Sequence, residues 1–106
     1  MKITLAFDIE RSGATDLHDT FAIGASVMDE NFKELDSLLL LGYVEGKTKF
    51  EERCWNEFWS KHTNILKTLT YTGKLKYNDR QKEMIVEFQK FRSKWETICK
   101  KNKNEL

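Results

Sequence analysis

The sequence predicts an α+β (or α/β) domain, with three antiparallel strands in a meander followed by a long carboxyl-terminal helix. Three observations predict it. Apolar residues alternate over residues 2–10 and again over 21–28, the connections between apolar stretches are short, and beyond Asp79 the apolar residues recur at helical spacing. With 106 residues, 40% of them apolar, the chain has the length of one domain, 1–106. Its character divides it into a strand meander over 1–46 and a loop with helices over 47–106.

The first strand is expected over residues 2–10. Ile3, Leu5, Phe7 and Ile9 fall on one side of an extended chain, and Thr4, Ala6, Asp8 and Glu10 on the other. Arg11 to Thr20 contains Ser12-Gly13 and several polar residues, which predicts a loop. Phe21, Ile23, Ala25 and Val27 alternate in a second strand ending at Met28. Asp29-Glu30-Asn31 has turn chemistry, and Phe32 to Val44 supplies a third strand with a leucine run inside it.

After Gly46 the pattern changes. Residues 47–72 hold Phe50, Cys54, Trp55, Phe58, Trp59, Ile65, Leu66 and Leu69, which fits a loop with aromatic anchors followed by one or two short helices. From Asp79, the residues Met84, Ile85, Phe88, Phe91, Trp95, Ile98 and Cys99 mark one face of a helix of about 22 residues that covers the sheet. Asn78 or Asp79 is placed to cap its start, and Lys100, Lys101 and Lys103 suit its negative end.

Composition excludes several classes. A chain this rich in apolar and aromatic residues is not disordered. Its longest apolar run, Leu38 to Leu41, falls far short of the roughly 20 residues that cross a bilayer, so no membrane partner is expected. The apolar start stops at Asp8 without a cleavage site, so the chain is read as intracellular, cytoplasmic or nuclear, and not secreted. Cys54 and Cys99 match no zinc or disulfide spacing and are read as reduced, buried thiols.

One pair of acids has a pattern that points to chemistry. Side chains at i and i+2 on a strand leave the same face with Cβ atoms roughly 6.5–7 Å apart. Asp8 and Glu10 stand in that relation at the end of an apolar strand that runs straight into a Ser-Gly loop. Two such carboxylates suit a hard cation, because Mg²⁺ and Mn²⁺ prefer oxygen ligands. The same spacing recurs at Glu34 and Asp36, and a solvated acidic pair at a strand end is the alternative reading.

The stretch Phe7-Asp8-Ile9-Glu10-Arg11-Ser12-Gly13, followed by Ala22-Ile23-Gly24-Ala25-Ser26-Val27-Met28-Asp29, resembles the opening of a DEDD-type 3′-to-5′ exonuclease. These are the DnaQ-like and ribonuclease T-like nucleases of the ribonuclease H-like superfamily. The block Cys54-Trp55-Asn56-Glu57-Phe58-Trp59-Ser60-Lys61 is similar to a segment of large-virus members. The resemblance implies a ribonuclease H-like fold, a DNA or RNA substrate and a pair of Mg²⁺ or Mn²⁺ ions. It implies that Asp8 and Glu10 are catalytic metal ligands, and that Arg11, Ser12 and Gly13 present backbone donors to the terminal nucleotide. The family needs two later aspartates and a His or Tyr beside the last one, and no residue after Glu10 is assigned to them. The chain therefore reads as the amino-terminal half of the domain, with low activity alone and an open sheet edge that invites a complementing chain or self-association.

The alternative is a non-catalytic nucleic-acid-binding or assembly module, such as a structural protein of a virus particle. The charge distribution bears on it: up to Gly73 there are 8 Lys/Arg against 12 Asp/Glu, and from Lys74 onward 10 against 5. A basic face of Lys74, Lys76, Arg80, Lys82, Lys90, Arg92 and Lys94 is suited to phosphate backbones, with Lys90 and Lys94 as its candidate contacts. The plainer reading is a solvated helix face. Trp55, Phe58, Trp59 and Trp95 are expected to be core or anchor residues rather than stacking platforms, and His18 and His62 are not expected to act as the family's general base.

Overall fold

In the computed structural model, which describes residues 1–13 and 19–106, the alternating segments become strands β1 (Thr4–Arg11), β2 (Thr20–Met28) and β3 (Glu34–Leu41). They form one antiparallel sheet in the order β1-β2-β3. The register sets Leu5 beside Val27, Asp8 beside Gly24 and Glu10 beside Ala22. It also sets Ala25 beside Leu38 and Gly24 beside Leu39. The ladder slips between Glu10 and Arg11, where the strand gives way to the Ser-Gly loop.

The third strand is shorter than its apolar pattern predicts. Asp29 accepts hydrogen bonds from the amides of Asn31 (2.8 Å) and Lys33 (3.0 Å), an arrangement that mimics a backbone turn. Phe32 takes a left-handed φ of 62° inside this turn, so pairing resumes only at Glu34.

Residues 47–72 form α1 (Glu52–Glu57), a single 3₁₀ turn (Trp59–Lys61) and α2 (Thr63–Thr68), as the anchor pattern predicts. The long helix α3 runs from Tyr77 to Lys101. It begins two residues before Asp79. Lys76 occupies the N-cap without a side-chain cap bond, and Asp79 lies in the first turn, where its charge meets the positive end of the helix.

Helix α3 covers one face of the sheet. Phe91 and Cys99 are buried with Ile3, Ala25 and Val27, while Met84 is buried with Ile23 and Leu40. Ile85, expected on this inner face, is 52% exposed. A second cluster joins Phe21 and Ala22 to Trp59 and Leu66, with Tyr43, Phe50 and Trp55 packed around it. Trp59, Trp55 and Trp95 are thus core or anchor residues, as expected, whereas Phe58, expected with them, is 47% exposed. Both cysteines are free thiols; Cys99 is buried, whereas Cys54 is only half-buried.

Arg80 departs most from its expected place. It is 9% exposed, its Nε donates to the Leu41 carbonyl at 2.8 Å, and its guanidinium pairs with Glu83 and lies 4.6 Å from the Tyr71 ring centroid. It pins the start of α3 to the end of β3 and does not belong to a solvated basic face. Among the described residues, no helix is long and apolar enough to cross a membrane.

Candidate metal site

The face of the sheet opposite α3 carries Ala6, Asp8 and Glu10 from β1 and Ala22, Gly24 and Ser26 from β2. These β2 side chains are small, so little stands above the centre of that face. A side chain at Gly24 would meet no atom within 4 Å. The result is a shallow depression of about 420 Å³ over Ala6, Asp8, Gly24 and Ser26, with Asp8 at its rim. Glu10, one pair further along β1, lies opposite buried Ala22 and is half-buried itself.

The two carboxylates are neighbours on this face. Burial pushes the Glu10 carboxyl above the ordinary carboxylate range, and its hydrogen bond to Asp8 and the Asp8 charge push it the same way. Burial is the larger cause, but the part that comes from the Asp8 charge is repulsion between two carboxylates, which a cation would relieve. The donor set therefore fits one hard divalent ion, held by two carboxylates with water or phosphate completing its shell. Among the described residues, no group of three or more His, Cys, Asp or Glu is clustered tightly enough to hold a metal. A second ion would need donors these residues do not group together.

Because the folded state holds the Glu10 proton more tightly than the unfolded chain, this group favours folding at low pH. That contribution is lost as pH rises through the raised value. Glu10→Gln should therefore melt higher than the native chain at pH 7 in a chelator, with the gap closing toward pH 4. Thermal melts across pH check this; a lower melting point for Glu10→Gln at pH 7 contradicts it.

The loop after β1 is latched at its base. The Ser12 amide donates to the Asp19 carbonyl (2.8 Å), the Asp19 amide donates back to Ser12 Oγ (3.0 Å), and the Ser12 carbonyl accepts from the Glu51 amide (2.7 Å). Ser12 is fully buried, so its amide is spent inside the protein and is not presented to a ligand. Gly13 is buried as well, and Arg11 is half-buried at the end of the strand. Of the three loop residues expected to meet a nucleotide, Ser12 therefore acts as a fastening.

Sequence reasoning missed the other half of this fastening. The Tyr77 hydroxyl at the start of α3 donates to the Asp19 carboxylate at 2.6 Å, and burial, with the Asp19 contact next, holds that phenol well above its usual range. No local signal links residues so far apart in sequence. His18 lies outside the described residues. His62 packs against Phe58, with ring centroids 4.3 Å apart and the planes tilted by 38°.

The basic residues of α3 are laced with acids. Lys94 Nζ lies 2.9 Å from Asp36, Arg92 lies 3.1 Å from Glu96, and Lys90 lies 3.7 Å from Glu87. Asp36 also accepts the Trp95 indole N–H at 3.0 Å; the Lys94 bond, with that of Trp95 next, holds its carboxyl below the usual range. Lys90 and Lys94 are more than half exposed, but they sit in a surface of alternating sign. Comparison of the chain with known protein families, with curated proteins and with solved structures finds no match.

Proposed function

We propose that this chain is the amino-terminal part of a ribonuclease H-like, DEDD-type 3′-to-5′ exonuclease, acting on DNA or RNA ends inside the cell with Mg²⁺ or Mn²⁺. The observation that carries this reading is the Asp8-Glu10 pair. Two carboxylates share the open face of β1, close enough for one to raise the pKa of the other, beside a depression floored by Gly24. The motif around them supplies the chemical class.

A bound divalent ion would polarise the terminal phosphodiester and make an attacking water more acidic. The protein's part is positional. Asp8, exposed at the rim, and Glu10, set deeper against Ala22, fix two oxygen donors on a rigid strand. Latching of Ser12 to Asp19 and Glu51 holds Arg11 and Gly13 at the strand's end, where a terminal nucleotide would lie. The Gly24 opening leaves room for a sugar or base above the sheet. With two grouped carboxylates, one ion is held weakly, and hydrolysis by these residues alone is slow. Further carboxylates supplied by a complementing segment would bring the site to the two ions of the family.

The test is a nuclear magnetic resonance titration with a nucleoside 5′-monophosphate in Mg²⁺. Shifts centred on Asp8, Glu10 and Arg11, absent in chelator and lost in Asp8→Ala, are expected. Shifts at Lys90 and Lys94 that survive both chelator and Asp8→Ala would instead identify a helix face that binds phosphates without metal.

A further inference from the structure

Between the turn that follows β3 and the start of α1 lies a cavity of about 380 Å³, a size that suits a small ligand. It shares no lining residue with the depression over Gly24. Three aromatic rings line it, those of Tyr43, Phe50 and Trp55. Phe50 is the middle one, with its ring centroid 6.2 Å from Tyr43 and 5.3 Å from Trp55 and the planes tilted by 49° and 42°. All three rings pack against the cluster of Phe21 and Trp59, yet each is only half-buried, so part of each is left open.

Backbone hydrogen bonds fix the walls of this cavity. The Tyr43 amide donates to the Leu69 carbonyl (3.2 Å), and the Tyr43 carbonyl accepts from the Tyr71 amide (2.9 Å). The Val44 carbonyl accepts from the amides of Lys47 and Thr48, both at 3.0 Å, and Thr48 Oγ1 accepts from the Val44 amide at 3.1 Å. Gly46 closes that turn with a left-handed φ of 82°. The Trp55 amide donates to the Glu51 carbonyl (2.9 Å), and Glu51 is itself tied to the Ser12 carbonyl. A site held in this way needs little ordering when a ligand enters. Its lining is charged as well: Glu45 and Glu52 are exposed acids, with Lys49 the base beside them. Burial, and next the Glu45 charge, push the Tyr43 hydroxyl above its usual range, so the phenol stays neutral and the carboxylate's field reaches its ring.

We infer that this cavity binds an organic cation through a quaternary ammonium group, such as that of choline or trimethyl-lysine. Aromatic faces carry negative charge density and attract a cation that comes within about 6 Å of the ring centroid. A quaternary ammonium is weakly hydrated and offers its methyl groups to the rings, so it loses little on leaving water. Its rounded shape meets three mutually tilted rings, whereas a flat ligand would lie along one of them. A bare divalent ion holds its water too tightly to settle against apolar rings. The two acids oppose an anion and attract a cation from a distance, an attraction that Lys49 partly offsets.

This inference is independent of the metal chemistry, and its test uses none. The full chain is titrated with choline while the magnetic resonance signals of the Trp55 indole N–H and of the Tyr43 and Phe50 amides are followed. The titration is repeated with the neutral isostere of choline, in which a tert-butyl group replaces the trimethylammonium. Choline is expected to bind saturably, and about fivefold more tightly than the isostere or better. A double variant, Glu45→Gln with Glu52→Gln, changes only exposed side chains and is expected to weaken choline several-fold while leaving the isostere unchanged. A parallel titration with the amide of trimethyl-lysine separates a peptide side chain from a choline group by which binds more tightly. Equal binding of choline and its isostere, choline binding unchanged in the double variant, or no saturable shift at Trp55 overturns the inference.

Discussion

Replacing Phe21 by alanine is expected to remove about 3–5 kcal/mol of folding stability, the range for deleting a large buried aromatic side chain. Phe21 is fully buried. Its ring centroid lies 5.0 Å from that of Trp59, 5.4 Å from Phe50 and 6.4 Å from Tyr43, with edge-on geometry in each case. Those three rings come from the segment between the sheet and α3, so Phe21 is the point at which that segment is fastened to β2. A domain of this size has roughly 5–15 kcal/mol in total, so the variant keeps a marginal fold at best. Urea denaturation measures it, and a fallen midpoint with an unchanged slope is expected. Phe58→Ala, at a half-exposed ring of the same segment, is the control and should cost far less. A loss below about 1 kcal/mol for Phe21→Ala would mean the cluster is not a core.

Arg80→Met is the second large effect, at about 2–3 kcal/mol. Methionine fills much of the same volume but leaves the Leu41 carbonyl without the Nε donor that reaches it at 2.8 Å. The contact with the Tyr71 ring and the pairing with Glu83 are lost as well. Lysine should recover little, because a single ammonium cannot serve the carbonyl, the carboxylate and the ring face together. The result also separates the buried anchor from the basic face that charge counting places there. If Arg80→Met folds as stably as the native chain but binds DNA more weakly, Arg80 belongs to that face after all.

That difference shows where sequence stops being readable. Alternation in Ile3, Leu5, Phe7 and Ile9 is a backbone period, so β1 and the shared face of Asp8 and Glu10 follow from it directly. The apolar face of α3 is legible for the same reason. Arg80 is not, because a local pattern counts its charge but cannot show that it reaches the end of β3. Phe32 has no turn preference and still takes a left-handed conformation, because Asp29 organises the turn around it. The start of α3 at Tyr77 and the latch at Ser12 depend on Asp19, which makes partners of residues far apart in the chain. The proximity of the two acids could be read from spacing, whereas the greater burial of Glu10 depends on its place opposite Ala22 and on what packs around it.

The most direct measurement of the central claim is a calorimetric titration of the native chain with Mn²⁺ at pH 7, repeated with Asp8→Asn. Cooperation of Asp8 and Glu10 on one cation predicts a single saturable Mn²⁺ site in the native chain and its loss in the variant, with the variant still folded. Equal binding by both proteins, or no saturable binding by the native chain, contradicts it.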